Sequence, residues 1–242
     1  MARHPRDPAW WETVAAVTGM VYGITKFLSW LLLRLGYGLE VRGQEYVPRH
    51  GACIVASNHV SFLDPLVVGA ACPRRLTFMA RNTLFASPLL RWWLRGVGAI
   101  SVRRGEADLS AIRSAIQRLR AGEPLALFPE GGRQFSGRLG SAKRGVGLLA
   151  LTARVPIIPM YVRGTFEALP PQATRLHRAK IRVAFGPAIS YTNEPAPAPS
   201  QPKGSQPSVR VEESGARNRQ EQLAQAVTHA WRRLEEQLNA HD

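Results

Sequence analysis

Cysteine is scarce in this chain: two in 242 residues, Cys53 and Cys72, both inside apolar stretches. Their spacing suits neither a metal site nor a disulfide framework, which leaves buried thiols in a reducing compartment. Acidic residues are few, 17 Asp and Glu against 32 Lys and Arg, for a formal net charge of +15. That balance calls for an anionic partner: nucleic acid, an anionic bilayer or a phosphorylated substrate. Zinc knuckles, aromatic ribonucleoprotein signatures and DNA-reading basic helices are all missing, and the charge is spread along the chain, so nucleic acid is not expected. Basic, apolar and small-residue cleavage regions do not follow one another at the N-terminus, which argues against a cleaved signal peptide. There is no internal repeat and no serine or cysteine nucleophile motif.

What is present is 45% hydrophobic residues, enough for one globular domain with appendages. The chain divides into a helical segment over 1–36, a main domain over 37–191, a linker or loop over 192–217 and a C-terminal amphipathic helix over 218–242. Thr13 to Leu33 is almost wholly apolar or small. At about 1.5 Å per residue it could just cross a hydrocarbon core roughly 30 Å thick. Lys26 within it would cost about 2.5–3.5 kcal/mol at the centre of a span. Trp10, Trp11, Tyr22 and Trp30 favour an interface, and Arg3, Arg6, Arg34 and Arg42 flank the run. The expectation is one or two helical pieces in a single leaflet, broken near Gly19 or Gly23, with a true span or a core helix as alternatives.

Short strands are expected at Leu39–Arg42, Ala52–Ser57, Arg75–Ala80, Ala99–Val102, Pro124–Phe128, Ile157–Val162 and Ile181–Phe185. Helices are expected at Leu84–Leu94, Glu106–Arg120 and Lys143–Ala153. Their alternation predicts an α/β fold. Proline, serine and glutamine crowd the segment after Thr192, which reads as linker or surface loop. In the last helix Leu223, Val227, Ala230, Trp231, Leu234 and Leu238 share a stripe that packs on the domain.

The most informative segment is Asn58-His59-Val60-Ser61-Phe62-Leu63-Asp64-Pro65, directly after an apolar strand. Imidazole is the side chain best suited to move a proton near neutral pH. A carboxylate on its far nitrogen would fix the tautomer and stabilise the imidazolium. A turn from strand into helix can join His59 and Asp64 in that way. Asp64 can equally be a cap for a helix that opens at Pro65. With no protein nucleophile beside the pair, the nucleophile would come from a substrate such as an alcohol.

Three more segments sit at strand ends or between prolines: Gly96 to Arg104, Leu127 to Arg133, and Val155 to Met160. Strand ends of open α/β sheets commonly hold ligands. Glycine there admits backbone N–H groups to an anion, and arginine forks match phosphate oxygens. Each segment alone reads equally well as ordinary turn, solvated charge or strand punctuation.

Taken in order, Asn58-His59 to Asp64-Pro65, Gly98 to Arg103, Phe128-Pro129-Glu130-Gly131 and Val155-Pro156-Ile157-Ile158-Pro159 resemble the four motif blocks of the glycerolipid acyltransferase family. The resemblance is greatest to bacterial 1-acylglycerol-3-phosphate (lysophosphatidic acid) acyltransferases and covers roughly Leu39 to Pro187. It implies a mixed sheet flanked by helices, with the N-terminal segment associated with a membrane. It also implies acyl transfer from a thioester to the free hydroxyl of 1-acylglycerol 3-phosphate, giving phosphatidic acid. His59 would be the catalytic histidine and Asp64 its orienting aspartate. Arg103, Glu130, Gly131 and Arg133 would bind the acceptor phosphate, with Lys143 assisting. Acyl carrier protein or coenzyme A would bring the acyl group as thioester, and no metal or other cofactor is implied. The expected partners are an anionic membrane surface, a lysophospholipid acceptor and that carrier, at the cytoplasmic face of the inner membrane. One departure stands out: the family usually has threonine where Gly132 lies and often serine where Gln134 lies. The same chemistry on another lysolipid, or a non-catalytic lipid-binding protein of this fold, are the alternatives.

Overall fold

Every apolar run that reads as a strand is a strand. The computed structural model of the chain describes residues 8–103, 108–191 and 209–240. Its strands are β1 (Glu40–Arg42), β2 (Ile54–Ser57), β3 (Thr77–Arg81), β4 (Ile100–Val102), β5 (Leu125–Leu127), β6 (Ile157–Arg163) and β7 (Arg182–Phe185). Its helices are α1 (Pro8–Tyr37), α2 (Asp64–Ala71), α3 (Pro88–Gly96), α4 (Leu109–Arg120), α5 (Gly145–Ala153), α6 (Thr165–Ala168) and α7 (Val209–Asn239).

The strands form one sheet in the order β1-β7-β6-β2-β5-β3-β4. All neighbours are parallel except β6 and β7, which makes the sheet mixed. Strands buried on both faces lose the polar half of the usual alternation. In β2 all four residues are buried, and in β6 only Arg163 is not. Side chains still alternate between two cores. Cys53, Val55, Ile158 and Met160 join Leu33, Val67 and Val68 on the side covered by α1 and α2. Ile54, Ala56, Ile157 and Tyr161 join Leu119, Leu149, Val227 and Trp231 on the side covered by α4, α5 and α7. Helix α7 approaches closely because Gly147 of α5 has no side chain to meet the backbone of Gln220. The indole N–H of the fully buried Trp231 donates to the carbonyl of Ala56 at 2.9 Å. This ties the C-terminal helix to the central strand.

Several expectations need correction. Helix α1 runs unbroken through Gly19 and Gly23. Its inner face, with Tyr22, Leu33 and Tyr37, is buried on the domain, and that contact favours continuous helix across both glycines. Lys26 is on this inner face too. Its ammonium donates to the carbonyl of Cys72 at 2.6 Å, at the C-terminal end of α2, where a cation is favoured. Burial holds its pKa below the usual lysine value. The helix expected over Leu84–Leu94 is split into a 3-10 turn, Asn82–Ala86, and α3. Pro88 causes the split, since it offers no N–H and biases Ser87 to an extended backbone. Helix α7 opens at Val209, ahead of the expected 218, while residues 192–208 of the expected linker lie outside the described residues. Among the described residues, no helix is long and apolar enough to cross a membrane.

Candidate active site

The central strand β2 lies between β5 and β6 and runs parallel to both. Their three C-terminal ends therefore open on one edge of the sheet. The chain leaves β2 through the turn that carries His59, and a set of buried hydrogen bonds holds this turn. The Asn58 amide donates to the carbonyl of Val162 at 2.9 Å and accepts from its N–H at 2.8 Å. The side chain thus extends the β2–β6 ladder by one pair. His59 donates its backbone N–H to Glu130 Oε2 at 2.9 Å, and its carbonyl accepts from the N–H of Gln134 at 2.8 Å.

His59 Nδ1 lies 2.8 Å from Asp64 Oδ2. The same oxygen accepts the backbone N–H groups of Val60 and Ser61, each at 2.7 Å. Asp64 is fully buried as the first residue of α2, and Leu63 before it makes no side-chain cap. Of the two readings of Asp64, the geometry matches the one in which the carboxylate meets the imidazole. An acceptor-only carboxylate favours the tautomer in which Nδ1–H donates to it, which leaves Nε2 as the basic nitrogen. The other flank of the ring stacks on Phe128 at the end of β5, with centroids 4.3 Å apart. The His59 side chain keeps 13% of its surface exposed, so a substrate can reach it.

The two serines flanking His59 are otherwise engaged. Ser57 and Ser61 donate their hydroxyls to the carbonyls of Asn58 and Leu169. The buried Cys53 thiol is pushed up to about 12 by desolvation. No group of metal-ligating side chains is found among the described residues.

The turn after β5 brings in the third motif block. Glu130 is almost wholly buried and spans two N–H donors, His59 on Oε2 and Gly140 on Oε1 at 3.0 Å. Burial raises its pKa to about 7, while those same hydrogen bonds pull it down in part. Both its oxygens accept backbone N–H groups, so Glu130 braces the His59 turn. Gly131 adopts a left-handed backbone, φ 77°, and a Cβ there would meet Lys143 Nζ at 2.9 Å, so glycine lets that lysine cross the turn. The Arg133 guanidinium sits 3.4 Å from the centre of the Phe62 ring, a cation–π contact.

The structure therefore brings His59, Asp64, Glu130, Gly131, Arg133 and Lys143 to one edge. Arg103 is at that edge but at the end of β4, three strands from β2 in the sheet order. At about 4.8 Å per step, that is roughly 14 Å. The fourth motif block is the start of β6, buried beside β2, and supports the site from within. Sequence reasoning missed the Asn58 clasp, the Phe128 stack and the Gly140 and Gln134 contacts. Only strand order, which puts β5 and β6 on either side of β2, would have exposed them.

An imidazole–carboxylate pair at the mouth of an α/β sheet, beside a cationic turn and without a protein nucleophile, suits group transfer to a substrate's own nucleophile. The Acyltransferase family model matches residues 38–163, more than half of the chain, and the chain belongs to that family. It is 27% identical over 137 residues to the chloroplastic 1-acyl-sn-glycerol-3-phosphate acyltransferase BAT2 of Brassica napus, covering 55% of this chain and 40% of that protein. It is 34% identical over 154 residues to 1-acyl-sn-glycerol-3-phosphate acyltransferase alpha of Homo sapiens, covering 61% and 54%. The matched region thus spans about half the length of these relatives. The fold matches the crystal structure of the 1-acyl-sn-glycerophosphate acyltransferase PlsC of Thermotoga maritima with a TM-score of 0.66 at 20% identity, over 93% of this chain and 82% of that one.

Proposed function

We propose that this protein transfers a fatty acyl group from an acyl thioester to the free hydroxyl of 1-acylglycerol 3-phosphate, giving phosphatidic acid. The observation that carries the reading is the 2.8 Å contact between His59 and buried Asp64, in a turn whose two serine hydroxyls already donate to backbone carbonyls. His59 Nε2 takes the proton of the acceptor hydroxyl as its oxygen attacks the thioester carbonyl carbon. The tetrahedral intermediate collapses, the carbon–sulfur bond breaks, and the imidazolium returns the proton to the departing thiolate. Asp64 keeps Nδ1 protonated and offsets the transient positive charge. General-base help of this kind is worth about 10²–10⁴ in rate.

Arg133 and Lys143, beside the His59 turn, suit the acceptor phosphate, and Arg103 suits a more distant anionic group on the same edge. The carrier is acyl carrier protein or coenzyme A. The relatives named above, called 1-acyl-sn-glycerol-3-phosphate acyltransferases, support the choice of acceptor. Gly132 and Gln134, where the family usually has hydroxyl residues, favour a second reading in which another lysolipid is the acceptor.

The enzyme works at a membrane, on the cytoplasmic face of the inner membrane, a side consistent with two free buried cysteines. Helix α1 supports a position in one leaflet. One face is packed on the domain at Tyr22, Leu33 and Tyr37, and the other exposes Val17, Met20, Ile24, Phe27, Leu28, Leu32 and Leu35. The deciding experiment is acyl transfer with a panel of lysolipids and both thioester types. Turnover confined to lysophosphatidic acid sustains the proposal, and turnover confined to another lysolipid moves it to the second reading. No transfer to any lysolipid overturns it.

A further inference from the structure

The apolar surface of α1 does not end at α1. Helix α3 packs beside it: Trp93 donates its indole N–H to Thr25 Oγ1 at 3.0 Å. Gly96 is where Val21 fits, since a Cβ there would come within 2.7 Å of the Val21 side chain. The outward side of α3 carries Leu89, 74% exposed, and Trp92, 61% exposed. Residues 89 and 92 are one helical turn apart, on the same side as Trp93 and Gly96 and therefore next to the exposed stripe of α1. Arg91 and Arg95, both exposed, border them on the adjoining side of the helix.

We propose that α3 is a second membrane-contact element, and that Leu89 and Trp92 insert with the α1 stripe into an anionic bilayer while Arg95 meets lipid phosphates. The inference rests on the membrane reading above and deepens it, because it assigns lipid contact to a helix inside the catalytic domain. The occupant follows from the surface itself. Large exposed apolar side chains, a tryptophan suited to the interface and flanking arginines together match an anionic lipid surface. An acidic carrier protein would need the charge but not the apolar stripe beside it. A second copy of this chain, at +15, would bring like charge to the same arginines. Helix α3 opens shortly past the C-terminal end of β3, so its first turn lies toward the sheet edge that carries His59, where a two-tailed product must leave.

The test is flotation of the intact protein on phosphatidylcholine vesicles with and without phosphatidylglycerol, run beside an acyl-transfer assay in detergent micelles. Leu89→Ser and Trp92→Ser should each weaken vesicle partitioning about tenfold, as expected for one large side chain withdrawn from lipid. Both positions are exposed, so thermal stability and micellar transfer should stay unchanged. Arg95→Gln should lower partitioning a few-fold on anionic vesicles and leave neutral ones unaffected. Variants that float like the wild type overturn the role of α3 and leave the membrane reading standing. Wild-type protein that stays off both vesicle types overturns the membrane reading itself. Variants that float normally but lose binding to acyl carrier protein assign this surface to the carrier and overturn the proposal.

Discussion

The chain leaves the sheet in opposite ways at β2 and at β4. After β2, the backbone of His59 is held by Glu130 and Gln134, its ring by Asp64 and Phe128, and the preceding residue by Val162. After β4, Arg103 is exposed, and its backbone N–H donates to Asp108 Oδ2 at 2.8 Å. Asp108 spends its other oxygen on Ser110 and on the first turn of α4. These bonds hold its carboxyl down at about 2. The difference is one of task. Proton transfer in the proposed reaction tolerates little error in the position of a base, so that turn is over-determined by buried bonds. A cation that meets a solvated phosphate gains from reach, so its strand end is open.

Substitutions at the two ends should differ accordingly. His59→Ala should lower turnover by about 10²–10⁴ with the fold intact, as judged by circular dichroism. A loss under tenfold would remove the general base from the mechanism. Asp64→Asn should cost about 10² in turnover. An amide can present its NH2 group to Nδ1 and impose the wrong tautomer, yet asparagine remains an adequate helix cap. Near-normal turnover in this variant would restore the capping reading of Asp64.

Between the two ends lies Arg133. Arg133→Lys should raise the Michaelis constant for the lysolipid about tenfold and leave that for the thioester unchanged, since lysine cannot reproduce a two-bond clamp on phosphate. At β4 the same change, Arg103→Lys, should have an effect of only about two- to fourfold. If Arg103→Lys instead acts mainly on thioester binding, β4 belongs to the donor side. An effect as large as that of Arg133→Lys would erase the contrast between the two ends.

The smallest effect concerns pH and the brace. Glu130 has a folded pKa raised to about 7 from 4.5. Its neutral form is favoured by the fold, so its contribution is complete below about 4.5 and is lost as pH rises through 7. Glu130→Gln removes this titration. The melting temperature of the wild type minus that of the variant should therefore fall between about pH 4.5 and 7, then level off. A difference that grows with pH over that window would mean the carboxylate form is the one the His59 turn prefers.

Much of this was legible in the sequence because short apolar runs bounded by glycine and proline have few alternatives to buried strands. The motif blocks gave the chemistry its residues, and His59 and Asp64 meet because a tight turn joins β2 to α2. The bracing by Glu130 was not legible, because nothing local reveals that both oxygens reach backbone N–H groups. Arg103 and Arg133 looked equivalent, each just past a strand, until strand order separated them.

The two long terminal helices show the same boundary. Both are amphipathic in sequence, yet α7 buries Leu223, Val227, Trp231, Leu234 and Leu238 against the domain, whereas α1 leaves its widest apolar stripe outside. Composition and periodicity determined that this is a basic α/β protein, because charge and apolar spacing are local properties. Tertiary structure alone decided which carboxylate braces the backbone of the His59 turn and which helix face is left exposed. Those outcomes depend on which strands become neighbours, and that is settled by the packing of the whole sheet.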